Sequence, residues 1–183
     1  MPRHIDPELE GRILNAARRL WHKGGETALS MRAVAKAAGT NTPAVYRRFS
    51  TREEILRVLV RSYQRQLYQE LAPCGSLTET AEAFLNFALR QPREYELIMS
   101  GLLARVTEER PNFELLAVRC AEWFGGRIMD YEALVMAIAS LAHGTAMLTI
   151  SGTLRKKDVP TARAAMLRAL DALIANREKF RQL

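Results

Sequence analysis

Residues 30–49, SMRAVAKAAGTNTPAVYRRF, constrain the fold more tightly than any other stretch, because they spell a helix, a glycine turn and a second short helix. Met31, Val34, Ala35 and Ala38 fall at offsets 0, 3, 4 and 7, one apolar stripe along a helix. Ser30 precedes it as an N-cap whose oxygen can accept a free first-turn amide. Gly39 stands where a helix must end in a left-handed conformation that glycine adopts at little cost. Asn41 is a second N-cap, and Pro43 suits a first turn where its missing N–H is not needed. Val45 and Phe49 are expected to hold the second helix to its neighbours, leaving Thr42, Ala44, Arg47 and Arg48 to point away. Two short helices joined by so tight a turn are the arrangement that lets the second enter a DNA major groove. The stretch reads as a helix-turn-helix.

The flanks extend the pattern. Leu9, Ile13, Ala16, Ala17, Leu20 and Trp21 form an apolar helical face, opened by Asp6-Pro7-Glu8 and closed at Gly24-Gly25. Downstream, Ser50-Thr51-Arg52-Glu53 has the form of a capping box, and Ile55, Leu56, Leu59, Val60, Tyr63 and Leu67 continue one long stripe. Taken in order, Ile13-Leu14, Ala16-Ala17, Leu20-Trp21, Gly24, Ser30-Met31-Arg32, Val34-Ala35, Ala38-Gly39, Val45-Tyr46, Phe49 and Glu53-Glu54-Ile55-Leu56 resemble the N-terminal domain of the tetracycline-repressor (TetR) family. The resemblance covers residues 9–60 and implies a homodimeric, all-helical transcription regulator. It also implies a C-terminal domain that dimerises and often binds a small effector. Residues 1–52 would be the DNA-binding domain and 53–183 the ligand-binding and dimerisation domain, with the helix from Thr51 to Glu70 as a connecting lever.

Site residues follow from the same comparison. Arg32, Thr42, Pro43 and Arg47 match positions that face base edges in TetR-like proteins. An arginine can fork onto guanine O6 and N7, while Pro43 offers a short contact to a thymine methyl. Ser30, Asn41, Tyr46, Arg48, Thr51 and Arg52 sit at helix starts or beside the second helix, where amides and hydroxyls meet phosphates. Tyr46 matches a near-constant tyrosine of the family, although packing against the first helix is its alternative role. Arg32 could equally serve as a phosphate contact.

Charge points the same way independently. Residues 1–50 carry nine Lys and Arg against four acids, a net +5, so only +2 of the chain's +7 belongs to residues 51–183. A basic end on a nearly neutral body suits a phosphate backbone partner. At 183 residues the chain can bury a core of one or two small domains, and its 48% hydrophobic content is ordinary. No basic start followed by an apolar run suggests a secretory signal, so a cytoplasmic location is expected. Cys74 and Cys120 have no metal-ligand spacing and read as reduced thiols; neither metal nor cofactor is expected.

Beyond residue 70 the punctuation marks further helices and no alternating strand pattern, so the fold class is all-α. Pro73-Cys74-Gly75 breaks the fourth helix, and Ser76-Leu77-Thr78-Glu79 forms another capping box. Ala81, Phe84, Leu85, Ala88 and Leu89 continue as a stripe. Ala133–Leu154 contains no Asp, Glu, Lys or Arg and is long enough for a membrane span. Its Ser140, His143, Thr145 and Thr149 favour instead a buried helix at the centre of a helical assembly, outside any membrane. With Thr161–Ile174 it provides two long apolar faces, and in TetR-like proteins the last two long helices pair with their mates as a dimer interface. His143-Gly144 and Pro92-Arg93-Glu94-Tyr95 resemble a subgroup with a Trp-x-x-x-His-Gly signature, though Ala139 stands at the tryptophan position.

A small hydrophobic effector is expected among Phe84, Phe87, Tyr95, Met99, Leu103, Trp123, His143 and Met147, each of which could instead be core. Catalysis finds no support. His4, His22 and His143 have no nucleophile or acid at a recognisable catalytic spacing in the sequence, and Glu53-Glu54 and Glu108-Glu109 are adjacent pairs that diverge on a helix. The expected activity is ligand-gated binding of a palindromic double-stranded operator by a homodimer. A regulator without an effector and a helical protein-interaction module are the alternatives. The polar and basic Thr42, Arg47 and Arg48 disfavour the latter, since an interaction groove wants apolar anchors.

Overall fold

The structure is a computed structural model that describes residues 6–101 and 111–181. Leu103 of the expected effector set and the Glu108-Glu109 pair lie outside the described residues. The described residues form helices and no strand, in the order α1 (Leu9–Ala28), α2 (Met31–Ala37), α3 (Thr42–Tyr46), α4 (Arg52–Leu71), α5 (Leu77–Arg90), α6 (Pro92–Met99), α7 (Pro111–Phe124), α8 (Glu132–Ile150) and α9 (Val159–Ala175). Contacts divide them into two compact units. One comprises residues up to Tyr63 together with those from Arg93 in α6; the other runs from Gln64 to Pro92 and takes in α7, α8 and α9.

The first unit is built around Ile13, Ala16, Ala17, Val34, Ala35, Val45, Ile55, Leu59 and Val60, all buried. The predicted stripes of α1, α2 and α4 meet there, and each fully buried Leu or Ile contributes about 1.5–3 kcal/mol. Capping follows the sequence closely. Ser30 Oγ accepts the Ala33 N–H at 3.2 Å and Asn41 Oδ1 the Ala44 N–H at 2.9 Å, while Gly39 closes α2 at φ +66°. Three expectations need correction. Helical dihedrals in α1 break at Gly25 (φ +59°, ψ −139°) but the chain winds on to Ala28, so the glycine pair kinks α1 and does not end it. The cap of α4 is Thr51, one residue later than the Ser50 expected from the sequence. Thr51 Oγ1 accepts the Glu54 N–H at 3.2 Å, and the Glu54 carboxylate reaches back to the Ser50 N–H at 2.7 Å. Ala44 is buried with Val45, because adjacent residues of a helix stand only about 100° apart and both can face the core.

The first turn of α6 docks on the end of α1. The Trp21 indole N–H donates to the Arg93 carbonyl at 2.9 Å, and the Arg93 guanidinium donates to the His22 carbonyl at 2.6 Å. His22 Nδ1 lies 2.8 Å from Glu94 Oε1, and Glu94 is only 3% exposed. Leu97, one turn further, joins the core of this unit.

In the second unit α8 packs against α5, α7 and α9. Leu85, Phe87, Ala88, Leu134, Ile138, Ala142, Met166 and Leu170 are buried. Arg163 of α9 reaches Asn86 and Glu82 of α5, each at 3.1 Å. Asp130 lies in a 3₁₀ turn, Ile128–Tyr131, accepts the Arg127 N–H at 2.9 Å and meets the guanidinium groups of Arg127 and Arg181. These bonds, the backbone N–H first, hold its carboxyl down at about 2. Burial pushes the Cys120 thiol up to about 12, which removes the thiolate that redox chemistry needs. The segment Ile128–Ile150 is long and apolar enough to cross a membrane by length and composition, but α8 buries only one face, through Leu134, Val135, Ile138, Ala142 and Ala146. Met136 and Leu148 on its other sides are about half exposed.

Candidate nucleic-acid interface

The capped starts of α2 and α3 fix what the first unit presents to solvent. Asn41, Pro43, Tyr46 and Arg47 are exposed along α3 and its end, with Thr42 half-buried beside them. Tyr46 is 51% exposed, far from a core tyrosine. On α2, Arg32 and Lys36 lie four residues apart on the exposed side. Arg32, Lys36 and Arg47 make no hydrogen bond or ion pair among the described residues, so their guanidinium and ammonium donors remain available. Lys36 was not among the expected contacts; its four-residue spacing from Arg32 is the signal that could have added it.

Other cations are already engaged. The Arg48 guanidinium donates to the Asp6 carbonyl at 3.0 Å, tying the end of α3 to the approach to α1. Arg52 forms an ion pair with Glu26 at 2.5 Å. Arg12 pairs with Asp6 at 2.7 Å, and Arg19 donates to the Ala37 carbonyl at 3.3 Å at the end of α2. Ser30, Asn41 and Thr51 use their oxygens as helix caps, which leaves the two hydroxyl hydrogens and the Asn41 amide N–H groups to donate outward.

The residues expected to line an effector site are dispersed. Tyr95 and Met99 belong to the first unit, Tyr95 fully buried and Met99 exposed. In the second unit Phe87 is fully buried in the core, and Trp123 lies against Arg119, whose guanidinium carbon is 5.9 Å from its ring centroid. His143 and Met147 are half-buried on α8. A cavity of about 60 Å³ lies elsewhere in this unit, walled by the end of α4, α5, α7 and α8. Phe84 is the one described residue of the expected set in its lining, with Leu77, Leu116, Ile138 and Ala142 around it. The helical stripes could not foretell this cavity, because it depends on which side of each stripe meets a gap in packing.

Residues 13–59 match the family described as "Bacterial regulatory proteins, tetR family", and residues 77–173 match the "Tetracyclin repressor-like, C-terminal domain". The chain belongs to the TetR family. Members of this family are DNA-binding transcriptional regulators and not enzymes, so the exposed face of α2 and α3 is the helix-turn-helix of such a regulator. Solved structures share the TetR fold. A TetR variant from Acinetobacter baumannii AYE in complex with minocycline superposes with TM-score 0.69 at 21% identity, covering 98% of this chain and 99% of its own. A protein of unknown function from Rhodococcus sp. RHA1 gives 0.69 at 21%, with 93% and 98% covered. The TetR-family regulator PfmR from Thermus thermophilus gives 0.56 at 20%, with 90% and 97% covered. No curated protein matches this TetR-family chain by sequence.

Proposed function

We propose that the chain is a ligand-responsive repressor that binds a palindromic operator as a homodimer in the cytoplasm. The observation that carries the reading is the set of uncommitted, exposed cations Arg32, Lys36 and Arg47 around a capped recognition helix. Arg47, Thr42 and Pro43 would meet base edges, with Arg32 beside them. Ser30, Asn41, Tyr46 and Thr51 would meet phosphates, joined by whatever donors Arg48 and Arg52 can spare from their internal bonds. The polar composition of this face argues against an apolar protein-docking groove.

Two subunits would set their recognition helices in successive major grooves, roughly 34–36 Å apart. The half-exposed Met136 and Leu148 of α8, with the apolar side chains of α9, support a two-fold interface, since so much exposed apolar surface is a liability in a monomer. We assign residues 1–52 to DNA binding and 53–183 to effector binding and dimerisation. α4 supplies Ile55 and Leu59 to the first core and Leu71 to the cavity lining, which supports its role as the lever. An effector that binds better to a state with a different helix spacing would release the operator by that difference in affinity alone. The minocycline complex of the Acinetobacter protein supports ligand binding in this fold.

The test is a mobility-shift titration with an operator selected from random duplex DNA. Arg47→Ala should lose about 1–3 kcal/mol on the selected site and relax the preference at one position per half-site. Equal binding of selected and scrambled DNA by the parent would reject the assignment.

A further inference from the structure

The cavity of the second unit has one polar feature that its apolar walls do not explain. Asn112, in the first turn of α7, lies in its lining, and its Oδ1 is buried with no hydrogen-bond partner among the described residues. The other polar groups of the lining are satisfied internally. Thr80 donates its hydroxyl to the Ser76 carbonyl at 2.7 Å. Arg119 donates to the Ala72 carbonyl at 2.8 Å and to Glu122 at 3.1 Å. Its charge is therefore already balanced by a carboxylate, and an anionic ligand would find no uncommitted cation there. Among the described residues the lining holds no carboxylate, so a cationic ligand would fare no better.

We propose that this cavity selects a small, uncharged, hydroxyl-bearing hydrocarbon, and that the Asn112 amide reads the hydroxyl. The proposal rests on the ligand-responsive reading above and names the ligand class for that site. A buried amide oxygen left without a donor is costly, whereas one met by a ligand hydroxyl is not, so the site discriminates against an analogue of the same shape that lacks the group. A hydroxyl both donates and accepts, which suits it to a side-chain amide in either orientation. Size narrows the class further. About 60 Å³ is well below the roughly 300–1,000 Å³ typical of sites for drug-sized ligands. It is also below the roughly 150 Å³ of an apolar cavity known to take benzene. The hydroxylated end occupies the space beside Asn112, and the hydrocarbon displaces the half-buried Phe84 and Leu116 side chains along the wall.

Phenol and toluene test this directly, since they differ by a hydroxyl in place of a methyl group. Calorimetric titration of the full chain should show phenol binding about tenfold more tightly than toluene. In Asn112→Leu that preference should vanish through weaker phenol binding, with toluene binding retained. Circular dichroism checks that the variant folds, and Asn112→Ala, with the same expected loss of preference, replaces it if it does not. Equal binding of the two probes by the parent, or a phenol preference that survives in both variants, overturns the role of Asn112 while leaving the cavity as a ligand site. Binding of both probes that Leu116→Trp does not impede places them elsewhere and overturns both readings, as does no binding at millimolar concentration. Phenol that binds through Asn112 without weakening operator binding upholds the ligand class and counts against the ligand-responsive reading.

Discussion

Arg47 and Arg48 are neighbours in the chain with different situations. Arg47 is exposed and uncommitted, whereas Arg48 spends a donor on the Asp6 carbonyl at 3.0 Å. Nothing in the dipeptide distinguishes them; the difference arises because α3 ends at Tyr46 and the next turn directs only one of the two towards α1. Tyr46, at 51% exposure, gives a second test at this scale. Tyr46→Phe removes a hydroxyl without disturbing a core. It should therefore weaken selected and scrambled DNA about equally, by roughly 0.5–1.5 kcal/mol, with the fold unchanged. A loss confined to one sequence, measured by mobility shift, would reassign Tyr46 to base reading. Asp130 is a residue whose effect is on stability. Its folded value of about 2 lies below the ordinary carboxylate value of about 3.9, so its contribution is complete above about pH 4 and is lost as the pH falls towards 2. Urea midpoints should show Asp130→Asn less stable than the parent at neutral pH, with the gap closing through that acid window. A gap of constant size would mean the carboxylate's charge is not what matters.

At the scale of elements, periodicity was a good guide wherever one face of a helix meets a core. The stripes of α2 and α4 are buried and those of α1 and α5 largely so, because offsets of three and four residues leave few alternatives. Boundaries were less legible: Gly25 bends α1 where it was expected to end, and the cap of α4 shifts by one residue because Thr51 and Ser50 are equally able to serve. The attachment of α6 was not legible at all. His22, Arg93 and Glu94 look like surface residues, and only the tertiary contact buries Glu94 against His22. His22→Ala would leave that carboxylate buried without its described partner. It should cost about 1–3 kcal/mol in urea unfolding and speed exchange of the Trp21 indole proton, which the same junction holds. An unchanged exchange rate would show that the contact does not secure α6 to α1. The effector set fared differently because aromatic and methionine side chains at helical spacing mark core and cavity alike; of its described members, only Phe84 lies in the cavity wall.

At the scale of the whole molecule, the proposed repressor requires a second copy of the chain. α8 is apolar on most sides yet buries one face, which leaves Leu148 46% exposed. A charge there tests association with little cost to the single chain, unlike one at Ala169, which is half-buried in it. Leu148→Glu should give folded monomers in sedimentation equilibrium, because a two-fold interface meets the new charge twice. Those monomers should bind the selected operator more weakly, having lost the second half-site. The most direct measurement of the central claim is selection of binding sites from random duplex DNA by the full chain, followed by footprinting and a salt titration. A dimeric repressor should yield a palindrome with half-sites about one helical turn apart, protected by two subunits, and a log–log salt slope that falls in magnitude by about one unit per half-site in Lys36→Ala. An unenriched pool, or a single asymmetric site bound by a monomer, would contradict it.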